Sequence, residues 1–339
     1  MDLVITSDNP APEGAILSVV RASDGVNLRV VRWVCGTDSR GTVTLLPGRA
    51  EFIEKYFETI GELLSRRFDV VAMDWRGQGL SERELANPHK GHVDDFSIYG
   101  RDLAALTRQI LEPFCPKPWF GIAHSMGGAI LAAQAHAGLA PFERIILTAP
   151  MIDLYGVRLQ GGARFLAESL DFLGFGGSFV PGGKPIPSVV KPFAGNFLTS
   201  DPIRYARLGA IVKASPNLAI GDPTIGWINA AFRLMQQFAD PDFPRQTLTP
   251  ILVLAAGADR VVATAAVERF ASRLKAGKLI TIPYSNHEIL MERDAIREQF
   301  WAAFDAFIPG ARDELEILIA RTLATDPAPR RRWFMPSKR

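Results

Sequence analysis

The sequence predicts an α/β architecture: a mostly parallel sheet of about eight strands, covered by helices on both faces. Three observations point there. Short apolar runs rich in β-branched residues alternate with amphipathic segments of helical period. A long segment in the middle interrupts that alternation without joining it, and a hairpin signal near the start adds an antiparallel edge.

The runs "ILSVVRA" and "VNLRVVRWV" flank Ser23-Asp24-Gly25, a tight-turn sequence, and predict the hairpin. "TVTLLPG" is a third strand, ended by Pro47-Gly48. In "EFIEKYFETIGELLSRR" the apolar residues Phe52, Ile53, Tyr56, Phe57, Ile60, Leu63 and Leu64 form one stripe, which predicts a helix. There follow a strand "DVVAMDW", a long loop, a helix "YGRDLAALTRQILEPF", a strand "PWFGIAHS" and a helix of small residues from Met126. The sixth strand is "ERIILTAP". Beyond the interruption come "PILVLAAG", the helix "ATAAVERFASRLK", "KLITIP" and a final helix "ILMERDAIREQFWAAFDAFI". Apolar strands of this kind are buried on both faces.

The interruption is too long for a structureless loop in a compact domain. It contains "GARFLAESLDFLGF" and "TIGWINAAFRLMQQFAD", both of helical period, around a Gly/Pro-rich middle. The expected organisation is a core from residues 1–151 and 247–310, a helical cap over 152–246 inserted after the sixth strand, and a C-terminal helix and basic tail over 311–339.

Composition narrows the class of function. With 47% hydrophobic and 22% charged residues, the 339-residue chain reads as globular. No run approaches the length of a membrane span, and "MDLVITSDNPAPEG" lacks the basic start and apolar stretch of a signal peptide, so a cytoplasmic protein is expected. Cys35 and Cys115 are too few for a disulfide framework, and no metal-binding Cys pair occurs. The net charge of +2 conceals five basic residues in the last ten, Arg330, Arg331, Arg332, Lys338 and Arg339, without which the remainder carries about −3. Nucleic-acid binding is therefore not expected, because it needs a basic face rather than a basic tail. The tail, with Trp333 and Phe334, has the chemistry for peripheral contact with an anionic membrane.

The chemistry centres on "FGIAHSMGGAI". A serine hydroxyl becomes a nucleophile only when a base takes its proton and a third group orients that base. A sharp strand-to-helix turn with small neighbours presents such a serine, and here Ser125 lies between a predicted strand and a predicted helix, with Gly127 and Gly128 after it. Ala123 replaces the first glycine of the usual Gly-x-Ser-x-Gly pattern, and its small size preserves the turn. The expected base is His287, in the loop after "KLITIP"; His89 and His92 precede the serine, His124 is read as pointing away from it, and His136 falls within a helix. For the acid, Asp259 in "GADRVV" is favoured over Asp153 in "TAPMIDLYG", and Asp74 in "MDWRGQGLS" reads as a turn-former. Two amide donors are needed for the oxyanion. The backbone N–H of Met126 and, in the turn after the third strand, that of Arg49 are the candidates. The Arg49 side chain reads either as a solvated cation or as a partner for an anionic substrate group.

Together these pieces resemble the α/β-hydrolase fold, and within it the group of monoglyceride lipases and bacterial lysophospholipases, the serine aminopeptidase-like hydrolases. The resemblance rests on "LLPGRAEFIEKYFE", "DVVAMDWRGQGLSER", "GHVDDFSIYGRDL", "GIAHSMGGAI", "LTAPMIDL", "LVLAAGADRVV" and "SNHEILME", in order from about Val19 to Phe307. It implies a Ser125–His287–Asp259 triad, an oxyanion hole from the amides of Met126 and Arg49, a cap over an acyl-chain pocket, and no cofactor. The histidine that often opens the oxyanion turn is Pro47 here, a change that spares the backbone donor. The function implied is a serine ester hydrolase acting through an acyl-enzyme on a single-chain lipid ester, lysophospholipid or monoacylglycerol. The alternatives are an amidase, peptidase or acyltransferase with the same triad, and a lipid-binding module without catalysis. Dehalogenase and epoxide-hydrolase relatives need an aspartate at Ser125. Cap residues Phe172, Phe179 and Trp227 are candidates for contact with the acyl chain.

Overall fold

The computed structural model describes residues 2–156 and 160–308. The C-terminal helix and basic tail expected over 311–339 lie outside the described residues.

One eight-stranded sheet forms the core, in the order β1-β2-β4-β3-β5-β6-β7-β8. The strands are β1 (Ile16–Arg21), β2 (Asn27–Trp33), β3 (Thr42–Leu46), β4 (Asp69–Met73), β5 (Trp119–His124), β6 (Arg144–Thr148), β7 (Ile251–Ala256) and β8 (Gly277–Ile282). β2 runs antiparallel to both β1 and β4, and every other pairing is parallel. The hairpin turns at Gly25, whose φ of 93° suits a residue without Cβ. β3, β4, β5 and β7 are buried along their whole length, which is why they read as continuous apolar runs. This is the architecture that the resemblance implies.

Helices cover both faces. After β3, a 3₁₀ turn at Ile53–Tyr56 leads into α1 (Phe57–Ser65), which buries Phe57, Ile60 and Leu63. α2 (Tyr99–Leu106) passes through a π-helical turn at Thr107–Leu111 into the short α3 (Glu112–Phe114). α4 (Ser125–His136) follows β5 directly and is buried over most of its surface, consistent with its small side chains. α5 (Gln160–Leu170), α6 (Pro202–Ala214) and α7 (Ile225–Ala239) lie between β6 and β7; α8 (Thr264–Ala271) and α9 (Asp294–Phe307) complete the core.

Three elements differ from the sequence reading, each for a local reason. The helix expected from Glu51 begins later, because Phe52 is extended and the Ile53 amide is taken by the Asp74 carboxylate at 3.0 Å. The last helix begins at Asp294 rather than Ile289: Glu292 is extended, and its carboxylate accepts from the amides of Asn286 (2.8 Å) and Ser200 (3.0 Å). α6 lies in the segment read as a Gly/Pro-rich middle. Its start was signalled by Asp201, whose carboxylate caps the amides of Ile203 and Arg204 at 2.8 and 3.0 Å, with Pro202 in the first turn.

Parallel strand order places the turns after β3, β5, β6, β7 and β8 on one edge of the sheet, where doubly covered α/β folds form their sites. The segment between β6 and β7 reaches this edge. On α7, Trp227 packs on Phe96 with ring centroids 5.5 Å apart, and the adjoining Thr224 hydroxyl is 2.8 Å from His92 Nδ1.

Beneath the edge, Arg29 of β2 is fully buried and joins two carboxylates. It pairs with Glu54 and with Asp74, both at 2.7 Å, tying the start of α1 to the end of β4. Asp74 also accepts from Leu80 N at 2.8 Å, so it is a buried staple rather than a simple turn-former. Removing the cation would strand two buried carboxylates. Arg29→Met is expected to cost about 3–5 kcal/mol in urea unfolding, of the order seen when buried pairs lose one partner. A loss below about 1 kcal/mol would contradict this role.

Candidate active site

Ser125 stands at the junction of β5 and α4 with φ of 48°, the left-handed region that L-residues rarely adopt. Its carbonyl accepts from Met151 N at 3.0 Å, so the chain leaving β6 braces the turn. Ala123 is fully buried between its register partners Leu46 on β3 and Leu147 on β6, and the sheet accommodates its methyl. Gly127 has no such room. A Cβ there would lie 2.5 Å from the Pro47 carbonyl oxygen and 2.6 Å from that of Leu46. The first turn of α4 therefore touches the end of β3. Met126 is among the opening amides of α4, which have no acceptor one turn back.

The facing turn is held from several sides. The Trp75 indole donates to the Pro47 carbonyl at 2.9 Å, and the Gln78 side-chain amide donates to Gly48 O at 2.7 Å while accepting from Ala50 N at 3.2 Å. Gly48 N donates to Glu51 Oε2 at 2.5 Å. With that amide committed, the next amide of the turn is that of Arg49.

His287 joins the remaining parts. Ser125 Oγ donates to His287 Nε2 at 2.9 Å, and His287 Nδ1 donates to Asp259 Oδ2 at 2.8 Å. The other Asp259 oxygen accepts from Val261 N (2.7 Å) and Val262 N (3.0 Å). Burial opposes ionisation of Asp259, but the bonds from His287 and the two amides outweigh it and hold the carboxyl below its usual range. An ionised Asp259 only accepts, which fixes the proton on Nδ1 and leaves Nε2 to take one from Ser125. All three residues are at most 8% exposed, so the pairs interact with little screening by water. The carboxylate against His287 is thus that of Asp259. Asp153 bonds the amide of Leu154 and faces a separate cleft with Phe232 and Arg269.

With this geometry in place, comparison with known proteins places the chain. The family model described as Serine aminopeptidase, S33 matches residues 37–294. The chain belongs to that family. Among curated relatives, Lysophospholipase L2 of Escherichia coli K12 is 34% identical over 291 residues, covering 81% of this chain and 82% of its own. Among solved structures, a carboxyl esterase from Bacillus coagulans aligns with TM-score 0.70 at 19% identity, covering 88% of this chain and 98% of its own. A soluble variant of monoglyceride lipase from Saccharomyces cerevisiae aligns with TM-score 0.67 at 18% identity, covering 86% and 95%. These structural likenesses establish the α/β-hydrolase fold.

Other residues at the site were not legible in the S33 motifs alone. The Lys55 ammonium is buried between Glu51 (2.6 Å) and Glu288 (2.7 Å), and Tyr56 OH donates to Glu51 at 2.6 Å. Burial works against both charges. The two carboxylates nevertheless raise Lys55, and Lys55 with Tyr56 brings Glu51 down to about 2. This network links the turn after β3 to the residue next to His287. His124, read as pointing away, instead has its ring 4.7 Å from that of His287 and its Nδ1 3.0 Å from Thr148 O. The remaining histidines are structural: His92 bonds Thr224, His89 lies 3.3 Å from Ala219 O, and His136 stacks on Phe243 at 3.7 Å.

The cap candidates separate. Phe172 is 91% exposed, which removes it from any enclosed chain-binding surface. Phe179 is half-buried under Lys90 Nζ at 5.2 Å, and Trp227 is buried beside Arg49. Among the described residues, no group of three or more His, Cys, Asp or Glu could hold a metal ion.

Burial lowers the His124 pKa to about 4, below the ordinary histidine value. The unfolded chain therefore binds more protons between about pH 6.5 and 4, and the stability contributed by neutral His124 is lost as pH falls through that window, about 3 kcal/mol in all. Urea unfolding should show His124→Gln gaining about 2–3 kcal/mol relative to wild type between about pH 7 and about pH 4.5. A constant difference would contradict a buried neutral imidazole.

Proposed function

We propose that the protein is a serine carboxylic-ester hydrolase acting through an acyl-enzyme on single-chain lipid esters, with Ser125, His287 and Asp259 as its catalytic residues. The observation that carries this reading is His287 hydrogen-bonded at once to Ser125 and Asp259. His287 Nε2 takes the Ser125 proton as Oγ attacks the acyl carbonyl carbon. The amides of Met126 and Arg49 hold the oxyanion of the tetrahedral intermediate. On collapse, His287 gives the proton to the departing alcohol oxygen and the acyl group stays on Ser125. Water, deprotonated by the same imidazole, then releases the fatty acid and restores the serine.

The names of the relatives support a lipid ester: one is a lysophospholipase, another a monoglyceride lipase. In the same reading residues 152–246 are the cap, with Phe179 and Trp227 nearest the acyl path. The protein is cytoplasmic, and the tail residues Arg330, Arg331, Arg332, Lys338 and Arg339 around Trp333 and Phe334 contact anionic lipid. Among the described residues no helix is long and apolar enough to cross a membrane.

A medium-chain ester and the matched amide, each with wild type and Ser125→Ala, test the reaction class. The ester should be the faster substrate, and Ser125→Ala should lower its turnover by about 10³-fold or more and abolish fluorophosphonate labelling. Equal rates for the two proteins would overturn the mechanism, and faster amide turnover would make the protein an amidase.

A further inference from the structure

Four of the arginines drawn into this fold have carboxylate partners. Arg29 pairs with Glu54 and Asp74, Arg76 with Asp24 and Asp102, Arg204 with Glu58, Asp201 and Asp294, and Arg297 with Glu58 and Glu62. Arg49 does not. Among the described residues no carboxylate lies within ion-pair distance of its guanidinium. One terminal nitrogen donates to the Gly221 carbonyl at 2.9 Å, and Cζ lies 5.0 Å from the centre of the Trp227 ring. Its Nε is sealed from water and has no hydrogen-bond acceptor. A desolvated cation with an unused donor is costly unless something else completes it.

Arg83 shows what a purely structural arginine looks like here. Burial lowers both Arg83 and Arg49 to about 10, leaving each cationic at neutral pH. Yet Arg83 spends its guanidinium on four carbonyls, those of Pro88, Ser81, Gly79 and Asn217, at 2.8–3.0 Å. Its loop is stapled and its donors are used. Arg49 holds a charge and a donor in reserve, and it does so in the turn that faces Ser125. The residue as a whole is half-buried.

Reach decides what that ligand is. In the mechanism proposed above the Arg49 amide meets the substrate's carbonyl oxygen, and the guanidinium lies one arginine side chain away. In a 1-acyl lysophospholipid the acyl carbonyl carbon and the phosphorus are separated by the ester oxygen, the glycerol carbons and the phosphoester oxygen. That span matches the run of an arginine side chain from Cα to its terminal nitrogens. A phosphodiester also offers the paired oxygens that a planar guanidinium binds through two parallel hydrogen bonds. A monoacylglycerol presents a neutral hydroxyl at the same distance and gives the cation no ion pair, Asp222 acting on it only from longer range.

We propose that the Arg49 guanidinium is the subsite for the phosphodiester of a single-chain glycerophospholipid, and that it makes the site prefer a lysophospholipid to a monoacylglycerol. This rests on the ester-hydrolase reading above and specifies its substrate. The Arg49 backbone and side chain then act together, the amide on the carbonyl oxygen and the guanidinium on the head group. The enzyme measures the distance between the two.

Binding to the full-length Ser125→Ala protein tests this without turnover. Calorimetry should show a medium-chain lysophosphatidylcholine binding at least about tenfold tighter than the monoacylglycerol of the same chain, as a charge-assisted pair implies. Adding Arg49→Gln should remove that preference, and Arg49→Lys should restore part of it. Inorganic phosphate should compete far more weakly than glycerophosphocholine, since it lacks the glycerol. In the active enzyme, Arg49→Gln should lower kcat/KM for the lysophospholipid relative to the monoacylglycerol by at least about tenfold, chiefly through KM. Equal binding of the two lipids, or an unchanged preference in Arg49→Gln, would overturn the proposal, as would inorganic phosphate competing as well as glycerophosphocholine. If Arg49→Gln does not fold, the comparison of the two lipids on Ser125→Ala alone decides. Monoacylglycerol hydrolysed through Ser125 without any phosphate preference sinks only the Arg49 subsite, whereas loss-free turnover by Ser125→Ala sinks the hydrolase reading itself.

Discussion

The site depends on the close approach of the first turn of α4 to the end of β3. Gly127 makes it possible, because any Cβ there would press into the carbonyl oxygens of Leu46 and Pro47. The approach sets the opening amides of α4 opposite the Pro47-Gly48-Arg49 turn. It also accounts for the strained backbone of Ser125, which must leave a central strand and enter a helix within one residue. Strain of this kind persists only where the surroundings over-determine it. Here they do: β3 and β6 flank the strand, Met151 holds the Ser125 carbonyl, and the helix is buried over most of its surface.

A layer of buried charge supports that contact. Glu51 holds Gly48, Lys55 joins Glu51 to Glu288, and Glu288 follows His287. Arg29, Glu54 and Asp74 form a second cluster under the same turn. Buried ion pairs add little net stability compared with apolar packing, but breaking one is expensive. Their value here is positional. A chain leaving β3 and one leaving β8 are both tied to a single ammonium, so the Pro47-Gly48-Arg49 turn and the imidazole keep their spacing. In the S33 fold as this chain builds it, Ser125, His287 and Asp259 come from the turns after three strands, and polar contacts carry the alignment between them.

The sheet was legible because its inner strands are buried on both faces and therefore read as unbroken apolar runs. The meeting of Ser125, His287 and Asp259 was legible too: Ser125 directly follows β5, and Asp259 and His287 lie in the turns after β7 and the largely exposed β8. Helix starts were not. The sequence around Glu51 and around Glu292 has helical period, but the Asp74 carboxylate on the Ile53 amide and the Glu292 carboxylate on the amides of Asn286 and Ser200 hold the chain out of the helix. α6 escaped because glycines and prolines around it hid a good cap, Asp201-Pro202. The Glu51–Lys55–Glu288 network and the His124–His287 contact join residues far apart in the chain, and no local pattern announces them. Arg49 is the reverse: its position beside Gly48 was plain, while the lack of a carboxylate partner could be read only from the packed structure.

The most direct test of this account is the turnover of Gly127→Ala, measured beside its unfolding curve. The folded variant should lose at least about 100-fold in kcat on a medium-chain ester with little change in KM, since the added methyl pushes the α4 amides away from the oxyanion. A folded Gly127→Ala enzyme with kcat within about threefold of wild type would show that the approach of α4 to β3 is not what sets the site.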